Sequence, residues 1–119
     1  MEVKIFYNSR VVPKGFLGIT LFHIFISKPK EYIVKIYGVE KARELVNHEM
    51  THAAQQRKLL IIPFFILYGL FYLIHFLVRW KWYDAYKAIP FEREADKNEK
   101  IDYYYKSVTT FSWLKYLRR

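Results

Sequence analysis

Residues 59–78 carry no Lys, Arg, Asp or Glu and a single histidine, His75, in a run otherwise dominated by Leu, Ile, Phe and Tyr. A stretch of about 20 apolar residues is long enough to cross a bilayer as a helix. It is followed by Arg79-Trp80-Lys81-Trp82-Tyr83, the aromatic and basic composition of an interfacial anchor. Any fold must therefore hide this run, fold it back, or give it to lipid. The choice is restricted by what lies on either side of it.

Upstream stands Asn47-His48-Glu49-Met50-Thr51-His52-Ala53, which contains the pattern H-E-x-x-H. On a helix, positions i and i+4 share a face, so His48 and His52 can offer ring nitrogens to one ion, with Glu49 beside them as general base for an attacking water. The alternative is a solvated helix face with two ordinary histidines. Downstream stands Pro90-Phe91-Glu92-Arg93-Glu94-Ala95-Asp96. Catalytic zinc takes three protein ligands and one open position, and Glu92 on a second helix can complete the set. Asp96, one turn on, can accept from the other ring N–H of a ligand histidine. Glu94 falls about 200° away from Glu92 on the helical wheel, which makes it the poorer ligand. His75 is a rival third ligand, although a polar partner at an interface would satisfy it equally. The chain has no cysteine, so disulfides, thiol chemistry and thiolate-bound zinc are excluded.

A single membrane crossing by residues 59–78 would leave His48 and His52 about 30 Å from Glu92, whereas zinc bonds are about 2 Å long. The sequence therefore predicts that the active-site helix, begun by the strong helix former at residues 40–46, ends near Ile62. Residues 64–82 are then expected to return as an antiparallel second helix, with Pro63 opening it and Gly69 permitting a bend. In this arrangement the segment 59–82 dips into one leaflet or packs on the body. The competing expectation is a soluble protein in which residues 64–77 are the most buried helix.

His48-Glu49-x-x-His52, a long apolar segment, then Glu92-x-x-Ala95-Asp96 resembles the gluzincin side of the zinc metallopeptidases. It is most similar to the membrane-bound family that includes the heat-shock protease HtpX and the CAAX prenyl protease, and more loosely to the peptidase domains of β-lactam-sensing transducers. The resemblance covers roughly residues 40–100. It implies zinc held by His48, His52 and Glu92, Glu49 as general base and Asp96 supporting a ligand. The chain is shorter than that family and has no recognisable amino-terminal membrane spans. It is also similar to small bacterial proteins of unknown function with an H-E-x-x-H helix and an F-E-x-E-A segment.

Elsewhere the pattern is mixed. Residues 3–7 read as a strand, residues 13–15 as a turn, and residues 16–26 as one or two strands broken near Gly18. Residues 20–27 are the candidate edge strand along which an extended peptide would add to the sheet. His23 reads as a packed histidine. Residues 32–37 favour a short helix ended by Gly38, with a strand nearly as compatible. Residues 84–90 read as a linker, and the glutamate helix is expected over residues 91–105, with Glu92, Asp96, Glu99 and Tyr103 on one stripe. Tyr86, Tyr103 and Tyr104 are candidates to donate to an oxyanion. Residues 111–119 form a short basic amphipathic tail, suited to the core or to anionic lipid.

The fold class expected is α+β and zincin-like: a small amino-terminal antiparallel sheet, the active-site helix, an apolar helical hairpin and the glutamate helix, in one domain over residues 1–119. A net charge of +9 with 20% aromatic residues suits nucleic acid or an anionic membrane. Base-stacking surfaces interleave aromatics with cations, whereas here Phe and Leu concentrate in one uncharged block, which favours the membrane. No signal peptide is evident, and the expected location is a membrane, at its cytoplasmic face. The leading expectation is a zinc-dependent peptidase acting on a peptide or protein substrate, with no substrate-binding residues assigned. Two rivals remain: a membrane-surface protein whose zinc is structural, closed by His23 or His75, and a basic lipid- or nucleic-acid-binding module without metal.

Overall fold

The computed structural model describes residues 3–117. Three short strands precede five α-helices: β1 Ile5–Phe6, β2 Gly18–Leu21, β3 His23–Ile26, then α1 Lys30–Tyr37, α2 Val39–Leu59, α3 Ile61–Arg79, α4 Trp82–Ala88 and α5 Pro90–Asn98. Two 3₁₀ turns follow, at Tyr104–Ser107 and Ser112–Tyr116. The class is α+β, as the sequence predicts.

The sheet is mixed rather than wholly antiparallel. Its order is β1-β3-β2, with β1 parallel to β3 and β2 antiparallel to it. The break in the second apolar stretch falls at Phe22, not Gly18. Phe22 adopts φ 68°, its amide donates to Gln56 Oε1 at 2.6 Å, its carbonyl accepts from Arg57, and the Arg57 guanidinium lies 4.4 Å from its ring centroid. A non-glycine residue resists positive φ, so contacts from α2 hold this turn. The expected edge strand, residues 20–27, consequently divides: residues 23–26 are the central strand and Gly18–Leu21 is the edge. His23 is indeed packed, accepting from the Lys4 amide at Nδ1 between the rings of Phe6 and Phe22.

Helix α1 forms where the helical reading placed it, entered through Pro29 and closed by Gly38 at φ 92°. Helix α2 continues through the H-E-x-x-H motif and stops at Leu60, whose φ of 69° reverses the chain two residues earlier than Ile62. Pro63 sits in the first turn of α3, where its missing N–H costs no helical bond. Gly69 does not interrupt α3, which is one continuous helix to Arg79, three residues short of Trp82. The reversal is done entirely at the helix junction.

Helix α3 is long and apolar enough to cross a membrane by length and composition. Among its residues only Phe64 is fully buried, which overturns the expectation of a buried core helix. Phe64 joins Ile89, Phe91 and Trp113 in one core, with Leu67, Tyr68 and Phe71 packed on it. Ile24, Ile26 and Ile33 form the second core, under the sheet and against Leu45, Val46 and Met50 of α2. The segment read as a linker is mostly α4, and α5 ends at Asn98, well before Tyr105. Trp113 docks the tail on the body, in edge contact with Phe71. Arg118 and Arg119 of that tail lie outside the described residues.

Candidate metal centre

The helix geometry of α2 brings His48 and His52 to one face, and α5 crosses it with Glu92 in its first turn. All three are buried. His48 Nε2 and His52 Nε2 stand 3.1 Å apart, Glu92 Oε1 is 3.0 Å from the first and Glu92 Oε2 is 3.0 Å from the second. Tetrahedral zinc bonds of about 2.0–2.2 Å require ligand atoms about 3.3–3.5 Å apart, so a small adjustment would seat an ion. These residues can hold a metal ion.

The surrounding hydrogen bonds explain why they should. Gln55 Nε2 donates to Phe91 O at 3.1 Å and Glu94 Oε1 at 2.8 Å, which turns Gln55 Oε1 toward His52 Nδ1 at 2.8 Å. An amide oxygen accepts only, so His52 carries its proton on Nδ1. His48 Nδ1 faces two carboxylates, Asp96 Oδ1 and Glu99 Oε1, each at 3.2 Å, and must donate as well. In the neutral rings, both Nε2 atoms are then lone pairs directed at each other and at the Glu92 carboxylate. Such a group is stable only around positive charge, supplied by protons or by a metal.

The ionisation of the site reflects that demand. Burial draws the His48 pKa down, yet hydrogen bonds to Asp96, Glu92 and Glu99 outweigh it and hold the ring well above its usual value. For His52 burial is likewise outweighed, by the charge and hydrogen bond of Glu92, and the pKa is raised. Burial alone would raise Glu92, but the positive charge of His52 and the bonds from both rings hold it well below the usual carboxylate range. Asp96 is also lowered, His48 and Lys87 prevailing over its burial. Lys87 Nζ lies 3.1 Å from Asp96 Oδ2.

Glu49 points from α2 toward the sheet. Its Oε1 accepts from the Thr20 hydroxyl at 2.7 Å, and its carbonyl accepts from the same hydroxyl at 3.1 Å. A Cβ on Gly18 would come within 3.6–3.7 Å of the Glu49 side chain, so the edge strand runs directly beside the carboxylate. Gln56 Nε2 donates to Thr20 O at 2.7 Å and ties the strand to the helix. A cavity of about 370 Å³ opens over Glu49, His52 and Glu92, between β2 and α3.

His48, His52, Glu49, Glu92 and Asp96 thus converge as the spacing predicts. Neither His23 nor His75 belongs to the ion-holding groups among the described residues. Glu94 is fully buried on the opposite side of α5, accepting from Gln55, Tyr104 and Ser112. That removes Tyr104 from the site. Tyr103 is 64% exposed in a left-handed turn beyond α5 and leaves the expected stripe as well. Tyr86 does line the cavity, with Glu92 and Glu49; burial, then the charges of Glu92 and Glu49, raise its pKa, so it remains a donor.

Four contributors escape the sequence reading. Tyr68, inside the apolar run, donates to Glu92 Oε2 at 2.7 Å. Thr20, Gln55 and Gln56 hold Glu49, His52 and the edge strand. The two glutamines, polar residues just ahead of the apolar run in the chain, are 1% exposed. The available signal was their position, three and four residues after His52 on the helix. No protein-family model, curated protein or solved structure matches this chain.

Proposed function

We propose that this protein is a membrane-associated, zincin-like peptidase that binds zinc through His48, His52 and Glu92 and hydrolyses peptide bonds with Glu49 as general base. The observation that carries this reading is the convergence of two imidazole lone pairs and a buried carboxylate, with both opposite ring nitrogens already committed as donors. No fourth protein side chain joins that group among the described residues, which favours an open position over a closed structural site. Zinc bound there supplies Lewis acidity and brings the pKa of a water toward neutrality.

The remaining chemistry belongs to the chain. Glu49 takes a proton from the water whose oxygen bonds to the peptide carbonyl carbon, and passes it to the amide nitrogen as the C–N bond breaks. Thr20 holds the Glu49 carboxylate in register. Tyr86, a protonated phenol on the cavity wall, is placed to donate to the carbonyl oxygen as charge develops there. By the alternation of an antiparallel pair, the Gly18 and Thr20 backbone groups face away from β3; Thr20 O is taken by Gln56 Nε2, and the Gly18 N–H and C=O with the Thr20 N–H form the edge along which an extended peptide can add.

Metal analysis of the purified chain tests the reading. One equivalent of zinc is expected in wild type and in Glu49→Gln, little in His52→Ala or Glu92→Ala, and hydrolysis of an unstructured protein substrate in wild type alone. Zinc retained by Glu92→Ala, or metal-dependent hydrolysis by Glu49→Gln, would refute it.

A further inference from the structure

Helix α3 is apolar on every side, yet its two faces meet different surroundings. Phe64, Leu67, Tyr68 and Phe71 rest on the core. On the other side, every exposed position over residues 62–78 is apolar or glycine, and Ile62, Ile66, Leu70, Leu73 and Leu77 are each 50–73% exposed. The spacing of these five is that of a single helical stripe, about 22 Å long at 1.5 Å per residue. A continuous apolar surface of this kind marks an interaction site.

Three observations select its occupant. The net charge is +9, which favours an anionic surface over a second, equally cationic copy. Cations sit at both ends of α3, Arg57 and Lys58 before it and Arg79 and Lys81 after it, and Trp80 and Trp82, 74% and 52% exposed, lie at its carboxyl end. The docked face of α3 packs on the core shared with α5, which bears Glu92, Arg93 and Asp96. Lipid could not surround α3 without drawing those charges in, so an orientation in the plane of the surface is the one that wets only the stripe.

We infer that α3 is an in-plane anchor, its stripe over residues 62–77 lying in the acyl layer of one leaflet of an anionic bilayer so that the mouth of the neighbouring cavity is seated at the lipid surface. Phe65 makes the link, being 38% exposed beside the stripe and also part of the cavity wall, and exposed Leu21 and Trp82 continue the rim. The inference rests on the membrane association in the proposed function and adds orientation and direction of access. A ligand reaching Glu49 and His52 through this cavity enters along the lipid surface.

The absence of cysteine makes single-cysteine variants of the full chain specific for a spin label. Labels at Ile62→Cys, Leu70→Cys and Leu77→Cys are read by collisional relaxation with oxygen and with a water-soluble nickel chelate, on vesicles of phosphatidylcholine with and without phosphatidylglycerol. Ile36→Cys, 54% exposed on α1, serves as the water-facing control. The expected result is one shallow depth for all three labels, none for the control, and binding that needs the anionic lipid. Leu70→Glu with Leu73→Glu should weaken vesicle partition about 10- to 100-fold, as loss of lipid burial for the exposed half of each leucine requires, while leaving the circular dichroism unchanged.

A depth profile deepest at residue 70 and shallow at 62 and 77 would establish a span and overturn the in-plane assignment. Failure to bind vesicles, with a dimer by analytical ultracentrifugation that Leu70→Glu dissolves, would assign the stripe to a second copy instead. Zinc content measured on the same samples separates this inference from the hydrolase: docking without zinc rejects only the latter, and zinc without docking rejects only the former.

Discussion

Replacing Glu92 by glutamine keeps the shape of the side chain and removes the one negative charge between the two histidines. In the metal-free protein the effect should depend on pH in a defined direction. His48 and His52 have raised folded pKa values against an unfolded value of 6.5, so their contribution is fully present below pH 6.5 and fades as pH rises through the folded values. Glu92 has a lowered folded pKa against 4.5, so its contribution is present above pH 4.5 and fades as pH falls through the folded value. Between those limits two buried cations depend on a carboxylate that is 3% exposed. Removing one partner of a buried ion pair costs about 3–5 kcal/mol, or roughly 12–20 °C in melting temperature for a domain of this size. At alkaline pH the rings are neutral, their lone pairs face the carboxylate, and the same substitution should cost much less. Urea unfolding of wild type and Glu92→Gln in chelator, at pH 5.5 and along an alkaline series that carries both rings through their folded pKa values, measures both limits. A penalty below about 1 kcal/mol at pH 5.5, or one that does not fall along the series, would show that the three side chains do not form the buried cluster described.

Other perturbations isolate the supporting residues. Thr20→Val removes the hydroxyl from Glu49 Oε1 and should lower kcat about 10- to 100-fold with zinc content unchanged, a split that steady-state kinetics beside metal analysis will reveal. Gln55→Leu deprives His52 Nδ1–H of its acceptor and should weaken zinc binding about 10- to 100-fold in a chelator competition, and Gln55→Glu should not restore it, because its second oxygen would face the acceptors Phe91 O and Glu94 Oε1 to which Nε2 now donates. Phe64→Ala empties the centre of the core under α3 and should destabilise the fold by about 3–5 kcal/mol in denaturant melts; a smaller cost would mean that α3 is not anchored through that ring.

Local chemistry alone determined a good part of this protein. The i, i+4 spacing of His48 and His52 follows from helix pitch, and the separation of Glu92 from Asp96 repeats it on a second helix, so those four residues were legible in the chain. The need for the apolar run to turn back followed from bond length: a site cannot be shared across a bilayer. What the linear pattern could not specify was which polar groups meet across elements. Tyr68 looks like one more aromatic in a greasy run, Gln55 and Gln56 look like polar residues ahead of that run, and Gly18 looks like a break in a strand. Each acquires its role from a neighbour 24 to 36 residues away, Glu92 for Tyr68, Phe91 for Gln55, Thr20 for Gln56 and Glu49 for Gly18. The turn at Phe22 and the reversal at Leu60 likewise occur at non-glycine residues with positive φ, which local preference disfavours. Periodicity reports which face of an element is apolar. Only the packing of α2 between the sheet and α5 decides which buried donor finds which acceptor, because that choice is made by desolvation and distance in three dimensions.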